Sequence, residues 1–456
     1  MLKVSKRKYL LGSAFLTFSG PLCSVLAPLL GIRFLTELVS PEMFGQVALL
    51  NGIAVLGAAV FAYPFIIAGM RLLPECRNYR ERWMLNKVVF GFSACATTLA
   101  IILVMLGGAV FCYLSGLEIG LFVLTCLLLA VTVRREFGIR FLTSEHKRRG
   151  AKFLQIGDSI LRPLLAIWFV WGLGQNPEAV LLGYVVASVV SNALWTVSCG
   201  ERVKKRSINQ PFLNCHYKRK VWGWALSLIP MELVCWFSGL GDRYVIGYLL
   251  TATEVGLYVA SYTIVNEVFN RSAMLCMNSF QPSYLRSFSA GKQKEAFSVL
   301  WLWIVTVVGL GFIVGCSALV GKEWLASMLL AKPYHSAIEL IPIFVIGSTL
   351  NAIATVMAQP LLARKHPQTL LKGRFCGVLA AAISLPLMIS SFGLIGAAIA
   401  HSIYFGVEAL IISLLARPWS MTSQVSGCQA EPIQNLPLIH DYESIGEKSI
   451  ALSADS

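Results

Sequence analysis

Charge is scarce in this sequence. Asp, Glu, Lys and Arg make up 13% of its 456 residues, about half of the roughly 25% usual in a soluble domain. Hydrophobic residues make up 56%, with a mean hydropathy of +0.69. Acids are the scarcer sign, 23 against 38 Lys and Arg, for a net charge of +15. Such a basic balance in a soluble protein would point to nucleic acid. Here the cations sit between apolar runs near or above 18 residues, so they are read as topology signals and nucleic acid is set aside.

Other absences narrow the field. None of the twelve cysteines forms a C-x-x-C pair, so neither a disulfide framework nor a metal site is expected. No Gly-Lys-Ser/Thr phosphate loop occurs, which fits a secondary carrier rather than an ATPase. Segments assigned to the outside are short, such as "GLEIG", "QNPEA" and "TATEV". A membrane glycan polymerase or ligase, which would need catalytic groups on a large outer loop, is therefore a weaker reading.

What is present is a succession of apolar runs, read as an all-α polytopic membrane protein of about twelve spans. They cover 9–32, 46–69, 88–114, 119–133 (extending toward Phe137), 153–174, 180–198, 221–250, 256–280, 296–319, 336–363, 375–391 and 393–416. The opening "MLKVSKRKYLLGSAFLTFSG" has the cations of a signal peptide. Its apolar run continues to Ile32, too long for a removable segment, so it is taken as an uncleaved first helix. With the N-terminus placed in the cytoplasm, 32 of the 38 Lys and Arg fall on inner segments. Arg33, Lys322 and Lys332 fall outside, and Arg162, Arg243 and Arg271 lie within spans. This bias fixes twelve helices with both termini cytoplasmic.

A repeat runs through the pattern. "RFLTELVSPEMFGQVALL" from Arg33 is echoed by "RYVIGYLLTATEVGLYVAS" from Arg243, and the loops Ser40–Gly45 and Thr251–Gly256 are offset by 211 residues. "LLGYVVASVV" around Gly183 is echoed by "LIGAAIAHSI" around Gly396, offset by 213. The chain is therefore divided into a six-helix lobe at 1–200, a cytoplasmic linker at 201–220, a second lobe at 221–416, and a polar tail at 417–456. Because six is even, the lobes share one orientation about a pseudo-two-fold axis along the membrane normal. Two parallel bundles with a site between them describe a transporter that alternates access.

Charges inside spans are costly, about 2.5–3.5 kcal/mol each on insertion scales, and mark wet cavities or partners. The candidates are Asp158 and Arg162, Glu232, Asp242 and Arg243, and Glu267 and Arg271. Asp158/Arg162 and Glu267/Arg271 are i,i+4 pairs with the acid first, a spacing that also serves as structural self-neutralisation. Asp242 lies 22 residues beyond Lys220, about 33 Å along a helix, so an interfacial anchor remains a reading of Arg243 and of Arg33. Glu232 follows Pro230 by two residues and lies deeper. Arginines facing a cleft suit an anion, since the guanidinium fork matches phosphate and carboxylate. On this basis Arg33, Arg162, Arg243 and Arg271 are candidate substrate-binding cations. Asp158, Glu232, Asp242 and Glu267 are candidate ion-coupling or cleft carboxylates.

"FLTELVSPEMFGQVALL", "GDRYVIGYLLTATEVGLYVASYTI" and "FGLIGAAIA" together resemble the signatures of bacterial oligosaccharide flippases. These are the O-antigen and capsule translocases of the polysaccharide transporter family, grouped with multidrug exporters and lipid II flippases in one superfamily. The resemblance implies an inner-membrane flippase for undecaprenyl-pyrophosphate-linked oligosaccharide, with membrane lipids and glycan polymerase machinery as partners. By position it marks Arg33, Asp242 and Arg243. It also implies coupling to a proton or sodium gradient, with no bound cofactor. A multidrug exporter is the alternative, and a non-transporting scaffold in a glycan-assembly complex stays open.

Overall fold

The computed structural model describes residues 26–76, 78–115, 119–144, 148–198, 211–364 and 366–417. The start of the first expected span, residues 201–210 of the expected linker and the tail beyond 417 lie outside these residues. Among those described there is helix and no strand, as the hydrophobic periodicity requires of backbone that must satisfy its own polar groups in lipid.

Helix α1 covers 26–38. Helix α2 starts at Pro41–Gly57, widens through a π-turn at Ala58–Ala62 and ends with Tyr63–Leu72. Then come α3 (Tyr79–Ser115), α4 (Gly120–Ser144), α5 (Arg148–Leu173), α6 (Pro177–Ser198) and α7 (Pro211–Leu249). Helix α8 runs from Ala252–Val265 through a π-turn at Asn266–Asn270 into Arg271–Ser289. It is followed by α9 (Gln293–Val320), a short α10 (Lys322–Leu329) and a 3₁₀ segment, Lys332–Leu340. That segment leads into α11, Ile341–Met357 continued by Gln359–Ala363. The last helical stretch, Pro367–Ala416, is 50 residues long, about 75 Å at 1.5 Å per residue and too long for one span. Gly393, with φ 57°, breaks it into α12 (367–392) and α13 (394–416). A side chain would be strained there, and glycine is not. With α10 excepted, the order matches the twelve expected spans, and the protein is an all-α polytopic membrane protein. Among the described residues, seven of the helical stretches are long and apolar enough on their own to cross a bilayer.

Two boundaries differ from expectation. Helix α7 begins at Pro211, inside the segment assigned to the 201–220 linker. Helix α4, read from the sequence as 119–133 with an extension toward Phe137, continues further, to Ser144. Arg134, Arg135 and Arg140, taken from the sequence as loop cations, are thus helical. Arg140 pairs with Glu136 at 3.3 Å, i,i+4, and lies 4.9 Å over the Tyr63 ring. Arg134 lies 5.4 Å over Phe90. Each charge has a local partner, so the helix has no reason to stop at the first one.

The repeated segments meet in space. Ser40 caps α2, accepting from Met43 N–H at 3.4 Å, and Thr251 occupies the same place before α8. From these caps α2 and α8 pack together through Gly45 and Gly256. A Cβ on Gly45 would overlap the Ala252 carbonyl, and a Cβ on Gly256 the Pro41 carbonyl. Both pairs obey the 211-residue offset, so the contact is reciprocal, as a two-fold relation between the halves demands. The 3₁₀ segment fastens the same end. Tyr334 donates to the Val39 carbonyl at 2.8 Å, and Ala331 N–H to Thr36 Oγ1 at 3.3 Å.

Because backbone, not a flexible side chain, occupies the space beside Gly256, Gly256→Val is expected to cost about 3 kcal/mol, the upper end for overpacking. Gly239→Val, where nothing lies within 4 Å, is the matched control and is expected to be neutral. Thermal unfolding of the solubilised protein measures both.

Candidate functional site: an arginine-lined cavity between the halves

Beneath the α2–α8 contact lies a cavity of about 390 Å³, within the ~300–1,000 Å³ usual for ligand pockets. Each wall repeats at helical spacing. Pro28, Gly31, Ile32 and Leu35 come from α1, and Phe44, Val47, Ala48 and Asn51 from α2. Asp158, Ser159, Arg162 and Pro163 come from α5, with Arg135 from α4 and Tyr184 from α6. The second half contributes Arg243 from α7 and Val259, Thr263, Glu267 and Arg271 from α8. Four guanidiniums and two carboxylates therefore share one chamber.

The charges are arranged in two groups. Asp158 is buried, 8% exposed, and is engaged by Arg162 Nε at 3.0 Å and by Arg135 from the neighbouring helix. Ser188 donates to its second oxygen at 3.5 Å and accepts from Arg162 Nη2 at 3.3 Å. Arg135 also pairs with Glu136 at 3.1 Å. On the opposite wall Glu267 is gripped by Arg271, one bond being Nη2 to Oε1 at 3.2 Å. Glu267 sits in the α8 π-turn, an irregularity that recurs at functional sites and re-aims side chains. Arg243 differs from the other three. Its guanidinium lies 5.7 Å over the Tyr262 ring, and among the described residues it forms no ion pair with a carboxylate.

The sequence candidates are distributed as follows. Arg162, Arg243, Arg271, Asp158 and Glu267 border the cavity, and Arg33, Glu232 and Asp242 are absent from its lining. Arg33 turns along α1 to pair with Glu37 at 2.8 Å. Glu232 lies half-buried on α7, within electrostatic reach of Arg140 and Arg374. Asp242 and Arg243 were expected to line the cleft together, and they do not. Adjacent residues point about 100° apart on a 3.6-residue helix, so Arg243 enters the cavity and Asp242 turns into the second half. There Asp242 accepts from Tyr258 Oη at 2.5 Å and from the Arg243 backbone N–H at 2.8 Å. Arg135 is the cavity residue missed from sequence. The apolar Phe137, Ile139, Phe141 and Leu142 that follow it, together with the Glu136/Arg140 spacing, were the available signs that the helix continues.

Chemically the chamber presents planar, permanently charged donor forks on apolar walls. It suits a group carrying more than one negative charge, with oxygen acceptors spaced for bidentate contact.

No protein-family model matches the chain, and no curated protein matches it. Solved structures do. One is an inward-facing multidrug resistance MATE family transporter of the MOP superfamily, with TM-score 0.63, 14% identity, and coverage of 89% of this chain and 96% of that one. Another is the lipid II flippase MurJ in an inward closed conformation, with TM-score 0.61, 14% identity, and coverage of 92% and 94%. A third is a mutant of the Vibrio cholerae MATE transporter VcmN, with TM-score 0.57, 14% identity, and coverage of 90% and 97%. Nearly end to end, the chain has the fold that these MATE transporters share with the lipid II flippase MurJ.

Proposed function

We propose that the protein is a flippase for a lipid-linked oligosaccharide, carrying an undecaprenyl-pyrophosphate-linked repeat unit from the cytoplasmic to the outer leaflet of a bacterial inner membrane. The observation that carries this reading is the excess of arginine in the cavity, with Arg243 left open to an incoming anion. Arg135, Arg162, Arg243 and Arg271 face a chamber that holds a pyrophosphate and the first sugars, while the polyprenyl tail stays in the bilayer. The α2–α8 contact closes one end, and access alternates as that contact parts and the other end shuts. An ion gradient drives the cycle. Termini in the cytoplasm put the Gly45–Gly256 contact on the outer side.

A drug exporter of the same fold would hold an organic cation against a free carboxylate. Here both cavity carboxylates are already engaged by arginines. The fold is common to a lipid II flippase and to multidrug transporters, so the choice of a lipid-linked substrate rests on the cavity charges.

Complementation tests it. A strain lacking its own O-antigen flippase, supplied with this chain and matched glycosyltransferases, is expected to regain surface glycan. Unchanged surface glycan, together with new resistance to cationic drugs, would replace this reading with the exporter.

A further inference from the structure

Behind Arg243, away from the cavity, the second half holds a buried cluster that substrate binding does not use. Asp242 is 4% exposed and His401, on α13, is 2% exposed. His401 Nδ1 lies 2.7 Å from Tyr404 Oη and 3.8 Å from Asp242 Oδ2. Tyr404 Oη is in turn 3.5 Å from the same carboxylate oxygen, which already accepts from Tyr258 at 2.5 Å. The far nitrogen, His401 Nε2, is buried with no hydrogen-bond partner. Around the imidazole stand the rings of Tyr262, Phe344, Tyr404 and Phe405, at centroid distances of 5.7, 5.2, 5.3 and 4.7 Å.

We propose that Asp242, His401, Tyr404 and Tyr258 form a proton-binding site, with His401 the proton acceptor, and that its occupancy controls the α2–α8 closure. A neutral imidazole has one donor and one acceptor. With Nδ1–H directed to Tyr404, the Nε2 lone pair is the vacant acceptor. A proton taken there converts His401 to an imidazolium whose charge is answered by Asp242 and by the surrounding rings. Sodium fits the cluster poorly, because hard cations take several oxygen ligands. The Asp242 oxygens here are occupied by O–H and N–H donors, and the rings of Tyr262, Phe344, Tyr404 and Phe405 line the imidazole.

Charged and titratable groups reach the cluster from three of the helices packed on it. Helix α7 presents Asp242 and Arg243, and α8 presents Tyr258 and Tyr262. Helix α13 adds Tyr404 and, one turn on, Glu408, which faces Arg374 of α12 at 3.9 Å. The α11 face presents Phe344 and Gly347, without a charged group among the described residues. Unprotonated, the site balances Asp242 against Arg243 alone. Protonated, Asp242 is shared with His401, and Arg243 at the cavity wall is less fully compensated.

The connection to the closure is short. Tyr258, which donates to Asp242, lies two residues beyond Gly256 on α8. Ser261, one turn further, donates to the Ala337 carbonyl of the 3₁₀ segment at 2.5 Å. Redistributing the Asp242 hydrogen bonds therefore loosens or tightens α8 where it presses on α2. The proposal rests on the transport reading for its purpose, but its occupancy is measurable without substrate.

The test is hydrogen exchange of the full chain in lipid nanodiscs at pH 5.5 and 8.0, corrected for intrinsic rates. Peptides spanning 41–48 and 252–259 are expected to change protection by at least about fivefold in the wild type, the low end for coupled sites. In His401→Gln the change is expected to vanish. Should that variant fail to fold, Tyr404→Phe, which removes one hydroxyl, is expected to shift the pH midpoint. Full wild-type pH dependence in His401→Gln overturns the proposal, as does an unmoved midpoint in Tyr404→Phe. So does reproduction of the change by sodium at fixed pH. A chain that fails complementation yet shows the His401-dependent response would lose the flippase reading and keep this site.

Discussion

Asp158→Asn is expected to cost about 3 kcal/mol of stability, the low end for breaking a buried ion pair by removing one partner. The carboxylate is the common acceptor of Arg135 and Arg162. Without it Arg135 retains Glu136 at 3.1 Å, but the half-buried Arg162 loses its carboxylate partner. An uncompensated guanidinium in a low-dielectric wall is the source of the loss, not the missing hydrogen bond itself. The measurement is thermal or denaturant unfolding of the solubilised protein. The sign of the coupling discriminates further. Asp158→Asn combined with Arg162→Gln is expected to recover part of the loss, because the second change removes the stranded charge. If the double variant is instead as unstable as the sum of the two, Asp158 contributes through packing and the charge group is incidental.

Arg243→Ala is expected to have the opposite profile: little effect on folding and a large one on export. Its guanidinium forms no direct ion pair with a carboxylate among the described residues. Asp242 keeps its hydrogen bonds from Tyr258 and from the backbone N–H at position 243, so the loss of stability is expected to be smaller than at Asp158. Loss of a charge-assisted contact worth about 1.5–3 kcal/mol corresponds to a roughly 10- to 150-fold weaker hold on an anionic headgroup. Arg243→Lys, a point charge without the planar fork, is expected to restore only part of it. Surface glycan recovered by the complemented strain is the readout, with membrane abundance as the control. An interfacial anchor would behave differently, since lysine would replace arginine fully.

The contrast between these residues shows what a sequence conveys about such a protein. Span order was legible because long apolar runs interrupted by cations have few alternatives in a bilayer, and the helices of the structure follow that order. The offset of 211 residues pointed to two related segments. Their direct contact through Gly45 and Gly256 was not visible, because glycine in an apolar run does not announce which backbone approaches it. The end of α4 was misplaced for an instructive reason. Arg134, Arg135 and Arg140 have the composition of an inner loop, but each meets a ring or carboxylate, from α4 itself or from the helices packed on it. Charge counting weighs residues by type and ignores local neutralisation.

Within the site, the i,i+4 pairs Asp158/Arg162 and Glu267/Arg271 could be read locally, since helical geometry sets both members on one face. The addition of Arg135 to Asp158 is a contact between neighbouring helices and left no local trace. For Asp242 and Arg243 the periodicity required that the two diverge, but not which one faces the cavity. That depends on where α8 and α13 lie. His401 stood in the sequence as an isolated polar residue in a span. Its meaning comes from a carboxylate 159 positions earlier in the chain, brought within 3.8 Å by the packing of the second half.

The central claim is that the cavity arginines hold the anionic headgroup of a lipid. Native mass spectrometry of the purified chain with undecaprenyl pyrophosphate tests it without transport, glycan or cell. Adducts are expected on the wild type, reduced at least about tenfold in Arg162→Ala/Arg243→Ala, and displaced by excess inorganic pyrophosphate. Equal binding by the wild type and the double variant, or wild-type binding that undecaprenol matches without any phosphate, would contradict the account.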